Sequence, residues 1–323
     1  MDVLPEFRLH RPTTVAEALA ARGQGAEARY IAGGTDLLAN VRRGLTPASA
    51  LIDLSAIAEL RQIERDAAGL HIGAGVTLAE IAEDAAIAAD YPALSQAAAS
   101  VAAPAHREAG TIGGNLCLDT RCYFYNQSDW WRQSNDFCLK YRGEICHVVP
   151  TSKRCYAAYS GDTAPALMAL GAEIDVAGPD GGRRLDLADL FNDDGIDYLT
   201  LAPGELVSAI HLPPAGGRSG YEKLRIRRSI DFPLAGVAVW LEMDGDKVAA
   251  LRIALTGTNA RPLVVEGTDV AIGQALDDDS VAALGKLVQK QISPVHTTTT
   301  QPQYRRRAVT ALSGRLLRRL AAT

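Results

Sequence analysis

"ARYIAGGTDLLANVRRG", residues 28–44, passes from a short buried strand through a double glycine into a helix that stops at Gly44. In such a strand–turn–helix unit the amides of Gly33, Gly34, Thr35 and Asp36 can point outward together, which suits a phosphate. The same residues also describe a tight turn with Thr35 or Asp36 capping the helix. "TIGGN", residues 111–115, supplies a second turn that exposes backbone and could grip the other half of a pyrophosphate, with Asn115 adding a polar contact. Neither loop has the G-x-G-x-x-G spacing, so a nicotinamide site of the Rossmann kind is disfavoured.

Working outward, "TTVAEALAAR" reads as an amphipathic helix capped by Thr13 or Thr14 with Glu17 as capping-box partner. "ALIDLS" and "LHIGAGVTLAEIA" supply strands and a helix start, so the first 90 or so residues form a small mixed α/β unit. The small-residue run "PALSQAAASVA" predicts a helix packed closely on something flat. "TAPALMALGAEIDVAG" predicts an apolar helix leading into a strand, and "PDGG" turns to a further strand, "RRLDL". Cys117 is placed in a "GGNLC" strand. Past a boundary near residues 213–220, a long hairpin turns at Asp244 to Asp246, and two amphipathic helices close the chain. The basic residues of the last helix (Arg305, Arg306, Arg307, Arg315, Arg318 and Arg319) read as a solvated face, with a partner surface as the alternative.

The chain has 323 residues, 47% of them hydrophobic, and a formal net charge of -5. That length suits two or three domains, and the charge gives no case for nucleic acid. No stretch approaches the roughly 20 apolar residues of a membrane span, and the start lacks the apolar core of a secretory signal. A cytoplasmic protein with no membrane partner is expected. In a reducing compartment, clustered thiols point to metal or redox chemistry rather than to disulfides. The six histidines are scattered, and no Ser/His/Asp or H-E-x-x-H arrangement appears.

Four motifs in order, "IAGGTDLL", "GTIGGNL", "GDTAPALMALGAEI" and "YEKLRIRRSIDFPLAGVAV", together resemble the flavin-binding medium subunit of the molybdenum hydroxylases, the family that includes xanthine dehydrogenase and carbon monoxide dehydrogenase. The resemblance spans nearly the whole chain. It implies an α+β fold: a two-lobed FAD-binding domain of the vanillyl-alcohol-oxidase type over residues 1–215, then an α+β domain with a three-stranded antiparallel sheet over residues 216–323. By position it implies that Ile31, Ala32, Gly33, Gly34, Thr35 and Asp36, with Thr111, Gly113, Gly114 and Asn115, hold the pyrophosphate of FAD. Val101 would lie on the adenine side and Asp162 would hold adenosine or ribose, while Leu206 and Lys223 would sit by the flavin ring. A cation such as Lys223 at the N1/C2 edge would favour the anionic reduced flavin; a surface lysine on an edge strand is the plainer alternative. Arg227, Arg228 and Asp231 suggest an ion-pair lock between lobes.

Between Asn115 and Asp162 the chain carries an insertion, residues 117–160, that most such subunits lack. Cys122, Cys138, Cys146 and Cys155 fall inside it. Four thiolates satisfy either one tetrahedral zinc or a [4Fe-4S] cluster, and the wide spacing, without C-x-x-C knuckles, leans toward the cluster. A redox centre beside a flavin also extends an electron path, whereas zinc only staples a loop. Tyr123, Phe124, Tyr125, Trp130 and Trp131 could dry the site or form the loop's own small core. His147 is a spare ligand, and Cys117 a small buried hydrophobe. The insertion resembles that of 4-hydroxybenzoyl-CoA reductases, and a related set of bacterial aldehyde oxidoreductases also carries cysteines after "GGNL". The resemblance implies partners: a molybdenum-cofactor large subunit, a small subunit with two [2Fe-2S] clusters, and ferredoxin as donor. The rival readings are the flavin subunit of an aldehyde or purine hydroxylase working oxidatively, and a zinc-stapled binding module without redox role.

Overall fold

The computed structural model describes residues 3–23, 25 and 27–322. Three sheets organise it. The first is parallel, with β1 (Arg8–His10), β2 (Ala28–Ile31) and β3 (Ala50–Asp53) in the order β1-β3-β2. Parallel neighbours need crossovers, and the helices Val15–Arg22 and Leu37–Arg42 supply them. Thr14 caps the former by accepting from the Glu17 amide, while Glu17 accepts from the Thr13 amide.

The second sheet is antiparallel and built from distant segments: β4 (Ile63–Asp66), β5 (Gly69–Gly73), β6 (Glu173–Gly178), β7 (Gly181–Asp186) and β8 (Leu206–Leu212), in the order β4-β5-β8-β6-β7. The first α/β unit therefore ends near residue 60, and the strands expected after it belong to this second lobe. Leu206, at the start of β8, packs into the first lobe's core beside Ile52, Ile57 and Leu60, and so pins the lobes together.

The third sheet contains β9 (Arg218–Leu224), β10 (Ala235–Asp244), β11 (Lys247–Thr256) and a two-residue β12 (Leu263–Val264), in the order β12-β11-β10-β9. It has four strands rather than three because the short β12 pairs with the end of β11. Val237, Val239 and Leu241 face the helices Asp278–Gln291 and Pro302–Ala321, while Ala238, Ala254 and Tyr221 face the second lobe. Burial on both faces explains why "AGVAVWL" lacks a clean alternation. On the second-lobe side lies the helix Thr163–Leu170, all eight residues of which are buried, and Gly171 ends it in the left-handed conformation with φ 79°.

Three further expectations need correction. The "GGNLC" segment is a short helix, Ile112–Leu116, because the Thr111 hydroxyl accepts from the Gly114 amide and starts a turn. The last helix is not a simple solvated face. Arg305 is fully buried and donates to the carbonyls of Leu234, Val295 and Gly257, whereas Arg315 and Arg319 pair with Glu222 and Arg318 with Asp278. Arg227 and Asp231 form an ion pair four residues apart within one loop, not a lock between lobes.

Candidate functional site

A cleft runs between the lobes and beneath the loop that joins β9 to β10, which contributes Arg227, Ile230, Asp231 and Phe232. It comprises two cavities of about 670 and 800 Å³ that share Ala32, Gly33, Thr111, Gly114, Cys117 and Tyr198 as walls. The smaller one continues past Leu54, Leu60, Leu199, Leu201 and Leu206. The larger continues past Asp36, Val101, Asp162, Ile230 and Phe232 toward the insertion.

The two glycine loops meet at the junction of the cavities. A Cβ on Gly33 would overlap the Ala109 carbonyl, so only glycine lets the loops touch. Gly34 turns the chain with φ 67°. Among the described residues the amides of Gly33, Gly34 and Thr35 donate to no protein group, which leaves them to a ligand. The second loop differs from expectation. Its amides are already used: Ile112 donates to Val76, Gly113 to Ala74 and Gly114 to the Thr111 hydroxyl. Gly113 faces Ala74, whose Cβ would lie 2.7 Å from an added Cβ. Asn115 is turned inward, its Oδ1 accepting from the Thr163 amide at 3.1 Å and hydroxyl at 2.7 Å. The second loop thus offers a wall of small groups rather than a second set of amides.

Asp162 and Lys223, assigned in sequence to opposite ends of a dinucleotide, form one ion pair at 2.9 Å, each about 4% exposed. They therefore belong to one end of the cleft, the larger cavity, which Asp162 and Val101 line together while Leu206 lines the smaller. The Tyr221 hydroxyl donates to the other Asp162 oxygen at 2.6 Å, and Lys223 also donates to the Ser100 carbonyl. Burial pushes the Asp162 carboxyl above the usual range, while Lys223 and Tyr221 pull against that rise. Lys223 is accordingly a neutralised cation, not a free one on an edge strand. Tyr221 was legible in principle, since it stands two residues before Lys223 on the same strand face. Tyr198 and Cys117, which touch both cavities, carried no sequence signal.

The insertion leaves and rejoins the scaffold at one point, where Arg121 and Ala158 exchange both backbone hydrogen bonds at 2.7 Å. Within it Cys122, Cys138, Cys146 and Cys155 are all buried. They converge: Cys122 lies within electrostatic reach of Cys138 and Cys146, and Cys155 within reach of Cys146 and Cys122. Burial pushes the free thiols up, Cys122 to about 11 and Cys155 to about 12. Among the described residues no three His, Cys, Asp or Glu side chains are arranged to hold a metal ion. That finding bears alike on the tetrahedral zinc and on the [4Fe-4S] cluster expected from the four cysteines, and shows neither.

Beside Cys122 the amide nitrogen of Asn126, whose carbonyl oxygen accepts from the Cys122 amide, has no partner. Arg132, 1% exposed, also has Nε and one terminal nitrogen unsatisfied, its guanidinium lying over the Tyr141 ring. An orphaned buried donor is costly, and an anionic centre at Cys122 would satisfy that of Asn126. Backbone strain has the same distribution. Of the non-glycine residues with positive φ, Asp136, Phe137 and Arg142 surround Cys138, and Ala102 and Ile230 line the larger cavity. His147 is committed to the Phe137 carbonyl. The aromatics divide: Tyr125 is buried, Tyr123, Phe124 and Trp131 pack edge to face or tilted on one another, and Trp130 is exposed.

Comparison with known proteins matches residues 5–215 to the family described as the FAD binding domain in molybdopterin dehydrogenase, and residues 219–320 to the CO dehydrogenase flavoprotein C-terminal domain. The chain is 35% identical over 279 residues to the aldehyde oxidoreductase FAD-binding subunit PaoB of Escherichia coli, covering 83% of this chain and 86% of that one. It is 30% identical over 317 residues to the carbon monoxide dehydrogenase medium chain of Afipia carboxidovorans, covering 97% and 94%. A solved Cu,Mo-CO dehydrogenase chain superposes with a TM-score of 0.82 at 26% identity, over 99% of both chains.

Proposed function

The chain belongs to the FAD-binding medium subunits of the molybdenum hydroxylases, and from that membership we propose that it is an electron-transfer subunit carrying a [4Fe-4S] cluster beside its FAD, within an enzyme of the 4-hydroxybenzoyl-CoA reductase type. The observation that carries the reading is the cage of four buried cysteines, with the orphaned Asn126 donor beside Cys122, packed behind Tyr125 and Leu45, which line the larger cavity.

The chain's own residues divide the work. The free amides of Gly33 to Thr35 hold the pyrophosphate, with Ile31, Ala32 and Asp36 shaping the loop and Thr111, Gly113, Gly114 and Asn115 setting the facing wall. The two cavities take the two ends of the dinucleotide: Leu206 walls the smaller, and Val101 walls the larger with the Asp162–Lys223–Tyr221 group fixing charge and hydrogen bonding beneath it. FAD, when bound, supplies one- and two-electron redox chemistry. Cys122, Cys138, Cys146 and Cys155 would hold the cluster, which would supply one-electron redox chemistry there, and burial with Asn126 would tune it. The partners in this reading are a molybdenum-cofactor large subunit, where substrate chemistry occurs, a small subunit with two [2Fe-2S] clusters, and a ferredoxin donor. The reaction is reductive removal of the hydroxyl from 4-hydroxybenzoyl-CoA.

A second reading, the oxidative flavin subunit of an aldehyde hydroxylase, is favoured by the identity to PaoB. Iron, acid-labile sulfide and FAD per chain, measured on anaerobically purified protein, test the cofactors. About four irons with one FAD is expected, and Cys138→Ser should lose iron while keeping FAD; a colourless chain refutes the reading. Turnover of the complex with reduced ferredoxin and 4-hydroxybenzoyl-CoA, against aldehyde oxidation with an acceptor dye, separates the two.

A further inference from the structure

We propose that the buried Lys140–Asp119 ion pair sets the reduction potential of the centre in the cysteine cage relative to that of the flavin, its ammonium end turned toward the cage. The proposal rests on the reading of the cage as a cluster site.

Lys140 stands two residues beyond Cys138, with its side chain 7% exposed, and lines the larger cavity. Its ammonium donates to Asp119 Oδ1 at 2.6 Å, to the Gly195 carbonyl at 2.7 Å, and to the Thr120 hydroxyl and carbonyl. The rings of Tyr125 and Tyr198 close over it at 4.5 and 5.4 Å. Gly195 itself abuts the cage: its amide donates to the Cys155 carbonyl at 2.9 Å, and a Cβ there would lie 2.9 Å from Cys155 Sγ. The ammonium is thus one residue removed from a cage sulfur, with Gly195 between them. Asp119 accepts from the Tyr125 hydroxyl at 3.2 Å, and Tyr125, like Asp119 and Lys140, lines the larger cavity while packing with Cys122, Cys138 and Cys155.

The pair carries no net charge but has a direction. In a buried setting of low dielectric such a dipole is poorly screened. Positive charge beside an iron-sulfur centre favours the added electron and raises its potential. The bland alternative is a brace holding the mouth of the insertion. The two ideas differ in sign. A brace is damaged alike by loss of either partner. A dipole responds in opposite directions, because removing Lys140 leaves the negative end and removing the Asp119 charge leaves the positive end.

Lys140→Met and Asp119→Asn, made in the full chain and purified without oxygen, are compared by iron, sulfide and FAD content and by redox titration followed optically and by electron paramagnetic resonance. The cage centre should move to more negative potential in Lys140→Met and to more positive potential in Asp119→Asn, with the flavin moving less in each. Shifts of the same sign, or none, in chains that keep iron and FAD overturn the proposal. Should Lys140→Met fail to hold iron, Lys140→Gln, which keeps a donor for the Gly195 carbonyl, carries the same expectation and the same refutation. Absence of iron from the unaltered chain sinks the underlying cluster reading instead, and is seen before any substitution is made.

Discussion

Replacing Lys223 with methionine tests the charge group beneath the larger cavity. The substitution removes the ammonium that pairs with Asp162 at 2.9 Å and leaves a carboxyl about 4% exposed. Breaking a buried pair by deleting one partner typically costs ~3–5 kcal/mol. The lower end, about 3 kcal/mol, is expected here for two reasons. Tyr221 still donates at 2.6 Å, and burial already pushes the carboxyl toward its protonated form. With the cation gone Asp162 should fold as the neutral acid, its folded pKa lying above its unfolded one. The folded state then binds a proton that the unfolded chain releases above roughly pH 4. Stability of the variant should therefore fall as pH rises, and its deficit against the parent should be smaller at pH 5 than at pH 8. Lys223→Met with Asp162→Asn leaves no buried charge and should recover more than half of the loss. Urea unfolding of the flavin-free chain, followed by circular dichroism at both pH values, measures all three quantities. A cost below about 1 kcal/mol, or a double variant as damaged as the sum of the singles, would refute the reasoning.

Gly33→Ala should abolish stoichiometric FAD binding, because its Cβ overlaps the Ala109 carbonyl and the loops must part; FAD content after gel filtration reads this, alongside a far-ultraviolet spectrum that should stay nearly unchanged. Arg305→Met strips donors from the Leu234, Val295 and Gly257 carbonyls in a fully buried place, and a loss on the order of 3 kcal/mol or more is expected in urea. Asp175 is held below the usual carboxylate range, first by its hydrogen bond from Arg184, against burial, with His211 adding to the effect. Its contribution is present above the unfolded value and lost as pH falls through the folded one, so Asp175→Asn should lower the melting temperature at pH 7, by an amount that shrinks as pH is taken below the ordinary carboxylate range.

Local chemistry wrote the elements clearly. The glycine turn after β2, the capped helices, the hairpin at Gly245 and the buried helix Thr163–Leu170 all follow from periodicity and punctuation that a single chain displays. What stayed hidden was assembly at long range. Nothing near residue 63 announces that β4 and β5 join strands more than a hundred residues later. The same limit governed the site. The free amides of the first loop and the four cysteines were legible because each is a local pattern. The spent amides of the second loop were not, since their acceptors, Val76 and Ala74, come from another segment. Asp162 and Lys223 were each picked out, yet only the packing of the third sheet on the second lobe reveals that they touch. Lys140 and Tyr198 gave no signal at all, being ordinary residues made special by where they end up.

The paired backbone bonds between Arg121 and Ala158 give the whole excursion between them a single doorway. Chain ends held side by side can be joined by a tight turn, yet the excursion is tied to all that lies behind it: the Tyr123 amide donates to the Thr297 carbonyl, Arg132 to the Arg43 carbonyl and Lys140 to the Gly195 carbonyl. A lineage that shed it would open the first lobe, the second lobe and the third sheet's domain at once, and with Tyr125 and Lys140 would lose part of the wall around its nucleotide.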